Sequence, residues 1–172
     1  MKKIILLGYM GSGKSKIALL LSQKLQIPLR DADQIIEENE KMPINLIFEN
    51  KGEIYFRKAE HQVFKQLIES PEPAVISLGG GTPCYADNHK FLKGASVVSV
   101  YLKASVELLH ERLLNAKTKR PLIADKSPET LKDFIAQHLF ERSYFYHQAT
   151  HTVSVDAKSP QEIVSEIESF LI

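Results

Sequence analysis

Residues Gly8-Tyr9-Met10-Gly11-Ser12-Gly13-Lys14-Ser15 read G-x-x-x-x-G-K-[ST], between an apolar run, Lys3 to Leu7, and a helical pattern through Ile17, Ala18, Leu20, Leu21 and Leu25. No other feature restricts the fold as much as this strand, glycine turn and helix. A short apolar run bounded by glycine is a strand buried on both faces, which belongs to parallel sheets covered by helices. The glycines let the backbone curl so that successive N–H groups face one anion, and the helix N-terminus adds partial positive charge. Lys14 then supplies a mobile cation to the β and γ phosphates of a nucleotide, and the Ser15 hydroxyl a ligand for Mg²⁺. The plain alternative is a glycine turn that merely opens a helix.

The rest of the chain repeats the alternation. Leu29 to Asp33 predicts a second strand ending in acidic residues, followed by two short helical patterns broken at Pro43 and a longer helix from about Glu53 to Ile68. Ala74 to Leu78, Ser96 to Leu102 and Thr152 to Val155 complete five strands. Leu108, Leu109, Leu113 and Leu114 mark a helix, Ser127-Pro128 opens another, and Ser159-Pro160-Gln161-Glu162 carries a capping box for the last. The fold expected is a three-layer α/β/α sandwich on a five-stranded parallel sheet, with residues 1–172 as one domain. Asn115 to Asp125, polar, basic and interrupted by Pro121, reads as a mobile lid over about 115–126.

Glycine usage supports one cleft. There are 8 glycines in 172 residues, fewer than the usual share of about 7%. Six of them fall in two clusters, Gly8, Gly11 and Gly13, and Gly79, Gly80 and Gly81. Both clusters follow strands, and open α/β sheets bind ligands beyond the carboxyl ends of their strands. The 22 Lys and Arg against 21 Asp and Glu argue against a nucleic-acid or acidic-membrane binder. One cysteine, Cys84, gives no disulfide framework and reads as a small buried residue, and the apolar run at the start is too short for a signal core. These readings point to a cytoplasmic protein.

The loop alone does not name a reaction. No Asn-Lys-x-Asp guanine motif is present, and Val75-Ile76-Ser77-Leu78 ends without the aspartate that many ATPases use to hold Mg²⁺. Asp31-Ala32-Asp33 offers two carboxylates that diverge if strand geometry persists, one toward a metal and one toward an acceptor. The same residues also fit a solvated turn with Asp33 as helix N-cap. Arg57 and Glu60, three apart on a helix, fit a surface ion pair equally well.

Taken together and in order, the phosphate loop, Asp31-Ala32-Asp33, Gly52-Glu53-Ile54-Tyr55-Phe56-Arg57-Lys58-Ala59-Glu60 and Gly79-Gly80-Gly81 resemble the shikimate kinases. The similarity continues through Lys119-Arg120-Pro121-Leu122, Arg142 with Tyr146 after it, and Val155-Asp156 before Ser159-Pro160. The resemblance implies a fold related to the nucleoside monophosphate kinases and transfer of the γ-phosphoryl of ATP to the 3-hydroxyl of shikimate, in aromatic amino-acid biosynthesis. It implies that Asp33 is the candidate base and that Asp31 helps hold Mg²⁺ through water, with Ser15 as a direct ligand. It further implies ATP contacts from Gly11, Ser12, Gly13, Lys14, Ser15 and Lys16, with Arg112 and Pro160 about the adenine and Arg120 reaching the phosphates from the lid.

On the acceptor side the resemblance implies that Arg57 and Arg142 pair the shikimate carboxylate, that Gly79, Gly80 and Gly81 line the substrate, and that Glu60 orients Arg57. A substrate-binding helical segment then spans about 33–61, and the protein is expected to be a monomer. Taken alone, Arg112 is also a helix-surface charge and Pro160 a helix starter. Tyr144 stands where the family often has proline, which alters what holds the aim of Arg142. The readings set beside this one are a kinase for gluconate or a nucleoside monophosphate, and a nucleotide-binding regulatory module.

Overall fold

Five strands form, β1 (Lys3–Leu7), β2 (Leu29–Asp31), β3 (Val75–Ser77), β4 (Val97–Lys103) and β5 (His151–Ser154), in a computed structural model that describes residues 2–116 and 123–172. Their order is β2-β3-β1-β4-β5 and every pairing is parallel. All five residues of β1 are buried, as a central strand covered on both faces requires. The helices are α1 (Lys14–Leu25), α2 (Ala32–Glu40), α3 (Ile44–Glu69), α4 (Val106–Ala116), α5 (Pro128–Tyr146) and α6 (Pro160–Ser169). Together they make the expected three-layer sandwich, with a core running from Ile4 to Ile167. No helix among the described residues is long and apolar enough to cross a membrane.

Local chemistry sets several boundaries. Ser159 Oγ accepts from Glu162 N at 3.2 Å while Glu162 Oε2 accepts from Ser159 N at 2.6 Å, so the capping box forms and starts α6. Ser127 caps α5 through its side chain alone, accepting from Thr130 N at 3.2 Å. Gly52, with φ 85° and ψ 170°, divides α3 into two helical stretches, which matches the expected start near Glu53.

Two expectations need correction. β2 stops at Asp31, and Asp31 rather than Asp33 is the N-cap of α2, accepting from Gln34 N at 3.1 Å. A carboxylate able to satisfy the first free N–H groups of a helix ends the strand, so strand alternation does not separate the two acids. Two 3₁₀ turns, Thr82–Cys84 and Asn88–Leu92, also lie between β3 and β4 where no element was anticipated.

β1 is the point where the sheet branches, with β3 on one side and β4 on the other. The phosphate loop leaves its carboxyl end beside the loops after β2 and β3, at the place where such sheets bind ligands. Register brings in the acids: Asp31 is paired with Ser77, and Ser77 with Leu6. Asp31 therefore stands one strand over from the position where β3 lacks an aspartate.

Candidate active site

A cavity of about 580 Å³ opens at this end of the sheet. The loop residues Gly11, Ser12, Gly13, Lys14, Ser15 and Lys16 line it, with Asp31, Asp33, Ser77, Gly79 and Gly80 on one side and Arg112 and Pro160 on the other. Gly11 and Gly13 have φ of 84° and 96°, a region that side-chain-bearing residues avoid, so the loop's curl needs glycine there. Lys14 Nζ donates to the carbonyls of Gly8 and Tyr9 at 2.7 and 3.1 Å, folded along its own loop. Arg112 Nη1 donates to Gly11 O at 2.9 Å, which ties the arginine from α4 to the loop rather than leaving it a plain surface charge.

Ser12 Oγ is buried and has no hydrogen-bond partner among the described residues. An orphaned hydroxyl in a glycine-curled loop that opens a helix beside a lysine suits a polyanion. The described residues contain no group of three or more His, Cys, Asp or Glu that could cage a metal. A hydroxyl and one or two carboxylates on a phosphate cavity suit Mg²⁺ instead, which keeps waters and shares its coordination with phosphates.

Asp33 lies in the first turn of α2, at the boundary between this cavity and the loop after β3. Burial and then the nearby Asp31 and Glu60 carboxylates push its pKa up to about 6, against the lowering influence of Lys14. A carboxylate poised there is still ionised at neutral pH yet more basic than an exposed one.

The three glycines after β3 each abut a different functional side chain. A Cβ built at Gly79 would lie 2.7 Å from Asp33 Oδ1, one at Gly80 would lie 3.2 Å from Arg142 Nη1, and one at Gly81 would lie 2.9 Å from Arg57 Nη1. The loop thus gathers a carboxylate and two guanidinium groups along one short backbone stretch. Arg57 Nη1 donates to Glu60 Oε1 at 2.9 Å, and its guanidinium carbon sits 3.8 Å from the Tyr85 ring centroid. Glu60 is 1% exposed, so the pair is an interior one and the surface reading of Arg57 and Glu60 does not hold. Arg57 Nε is buried without a hydrogen-bond partner among the described residues, and Glu53 Oε1 lies 3.8 Å from it, adding a second carboxylate beside the guanidinium.

Arg142 is held despite the absent proline. α5 continues through Tyr146, so Arg142 and Tyr146 stack four residues apart, with Arg142 Nη1 to Tyr146 Oη at 3.4 Å. The fully buried Tyr146 hydroxyl donates to Gly80 O at 2.7 Å, and burial pushes its pKa up so that it keeps that proton. The Arg142 guanidinium also lies 5.5 Å from the ring centroid of buried Tyr9. Tyr146 and Tyr85 had no role assigned from sequence. The i,i+4 spacing after Arg142 was the available signal for Tyr146, and nothing local marks Tyr85.

Residues 117–122, including Arg120 and much of the lid expected over about 115–126, lie outside the described residues. Cys84 is half-buried, and burial raises its thiol to about 11, so it is no nucleophile.

A phosphate loop on β1, a basic carboxylate at its edge and a pair of arginines beyond define a P-loop small-molecule kinase. A shikimate kinase family model matches residues 10–172. A shikimate kinase of Flavobacterium johnsoniae is 54% identical over 171 residues, covering 99% of each chain. Among solved structures, a shikimate kinase from Bacteroides thetaiotaomicron superposes with a TM-score of 0.90 at 34% identity, covering 99% of this chain and 98% of that one. One from Acinetobacter baumannii, in complex with shikimate, gives 0.86 at 30% identity over 99% and 93%. The chain belongs to the shikimate kinase family and is an ATP-dependent kinase.

Proposed function

We propose that the chain transfers the γ-phosphoryl group of ATP to the 3-hydroxyl of shikimate, giving shikimate 3-phosphate and ADP. The observation that carries this reading is the convergence of Asp33, Arg142 and Arg57 on Gly79, Gly80 and Gly81 beside the phosphate loop. An acceptor with a hydroxyl to be deprotonated and a carboxylate to be held matches that set. Arg57 and Arg142 grip the carboxylate, for which a planar guanidinium fork is suited. Asp33 takes the hydroxyl proton as the new O–P bond forms and the bond from the γ phosphorus to the bridging oxygen of ADP breaks.

On the donor side, the N–H groups from Gly11 to Lys16 and the Lys14 ammonium hold the phosphates, while Arg112 and Pro160 flank the adenine. Ser15 and, through water, Asp31 would hold Mg²⁺, which when bound supplies charge neutralisation between the phosphates. Asp31 stands beside Ser77 in register, which supports that assignment. Arg120 reaches the transferring phosphate from a lid over about 115–126, and the acceptor is enclosed by the helical segment about 33–61 within a single domain. Phosphoryl transfer gains most from positioning and charge stabilisation, so these contacts carry the catalysis. Family membership supports the further reading of a cytoplasmic monomer.

The test is ADP release measured with shikimate, quinate, gluconate and nucleoside monophosphates for the native chain and Arg57→Ala. Turnover is expected with shikimate, with Arg57→Ala abolishing it while ATP binding by calorimetry stays within about twofold. Normal shikimate turnover in that variant would overturn the assignment.

A further inference from the structure

Thr82, the first residue of the 3₁₀ turn after Gly81, is fully buried and donates through Oγ1 to Glu60 Oε2 at 2.8 Å. The other oxygen of the same carboxylate receives Arg57 Nη1 at 2.9 Å. Glu60 therefore uses one oxygen for Arg57 and the other for Thr82, from two elements of the fold. Thr82 is itself tied: its carbonyl accepts from Asn88 Nδ2 at 2.9 Å, and Asn88 Oδ1 lies 2.7 Å from His61 Nδ1, the residue after Glu60 on α3. Thr82, Asn88 and Glu60 are all buried, so no solvent can replace a lost member of this ring.

We propose that Thr82, clamped by Asn88, is a positioning residue for the acceptor, acting through Glu60 on Arg57. This rests on the reading that Arg57 grips the acceptor's carboxylate. A carboxylate held at one oxygen pivots about that contact. A second donor from a different element removes the pivot, and with it the freedom of Arg57 to swing on its long side chain. Gly81 packs against the same guanidinium, so Thr82 and its neighbour in sequence confine Arg57 from two directions. A group preorganised in this way binds without the cost of being ordered on each encounter.

The test uses Thr82→Val, which keeps shape and removes the hydroxyl, and Thr82→Ser, which keeps the hydroxyl. Thr82→Val is expected to raise the KM for shikimate about tenfold, in the range of one hydrogen bond to a buried charge. The KM for ATP should stay within about twofold, and Thr82→Ser should restore the shikimate KM. Calorimetric binding of shikimate should weaken in parallel, whereas binding of shikimate methyl ester, which hides the carboxylate, should not. In an Arg57→Ala background Thr82→Val should weaken shikimate binding no further.

Equal rises in both KM values, undiminished loss of shikimate binding in the Arg57→Ala background, or an unchanged shikimate KM in folded Thr82→Val would each overturn the proposal. If Arg57→Ala itself leaves shikimate binding intact, the reading of Arg57 fails first and the proposal with it. Should the valine form not fold, Thr82→Ala, which likewise lacks the hydroxyl, is measured in the same way.

Discussion

The two glycine clusters use the same residue for different physical reasons. In the donor loop, Gly11 and Gly13 are demanded by torsion, since their φ values lie in the left-handed region and the nearest atom to a Cβ at Gly13 is 3.8 Å away, while Gly8 at the loop's start also lacks room, a Cβ there falling 2.8 Å from Leu102 O. In the acceptor loop none of Gly79, Gly80 and Gly81 has positive φ, yet a Cβ on Gly79 or Gly81 would fall within 3.0 Å of a carboxylate oxygen or a guanidinium nitrogen. One loop is shaped so that its own N–H groups can face the phosphates. The other is pared down so that side chains from α2, α3 and α5 can approach its backbone closely. Under the proposed function, backbone is the binding surface in the first region, while in the second it is the spacer that lets side chains bind.

The most severe break in this contrast removes the group both regions share. Asp33→Asn is expected to lower kcat by about 10² to 10⁴ fold, the usual contribution of a positioned base. The native enzyme's kcat/KM should fall as pH drops through about 6, the value to which burial and the neighbouring acids push Asp33, rather than near the ordinary 3.8. The same shift has a stability sign. A carboxyl with a raised folded pKa favours the folded state below its unfolded pKa, and that contribution is lost as pH rises through about 6. Asp33→Asn should therefore be more stable than the native chain at pH 8, by on the order of 2 kcal/mol, with the gain vanishing below about pH 4 in urea titrations.

Substitution of the two kinds of glycine should separate them further. Gly13→Ala forces a side chain into left-handed backbone and should cost about 1–2 kcal/mol of stability. Its KM for ATP should rise about tenfold, with shikimate binding spared, as checked by thermal melts and initial rates. Gly81→Ala leaves the backbone unstrained and meets only the Arg57 guanidinium, so its melting temperature should fall less than that of Gly13→Ala. Its KM for shikimate should rise about fivefold as Arg57 is pushed aside. An equal loss of stability in the two variants would dissolve the distinction between torsion and space.

The contrast also marks what could be read from sequence. The donor side is local: strand, eight-residue loop and helix are contiguous, so spacing alone places Lys14 and Ser15. The strands and the Ser159–Glu162 cap were legible for the same reason. The acceptor side is assembled from contacts far apart in the chain. Glu60 and Thr82 are 22 residues apart, and Tyr146 and the Gly80 carbonyl 66. In isolation Arg57 and Glu60 resemble any helical ion pair, and Thr82 any polar loop residue. Only the ordered resemblance, and then the fold, brings them to one place. The N-cap role fell on Asp31 rather than Asp33 because helix initiation competed with strand extension over a few residues, and local propensity does not decide that competition.

The one-to-one matching of Gly79, Gly80 and Gly81 with Asp33, Arg142 and Arg57 has a consequence for changes in chain length. Three consecutive residues keyed to three partners form a reading frame. A single residue inserted after Leu78 would not spoil one contact but hand every partner the wrong neighbour, displacing the proposed base and both proposed carboxylate anchors together. Deletion would do the same in the opposite sense. An insertion beyond the Thr82–Cys84 turn, at the exposed Ala86 or Asp87, would leave all three neighbours in place.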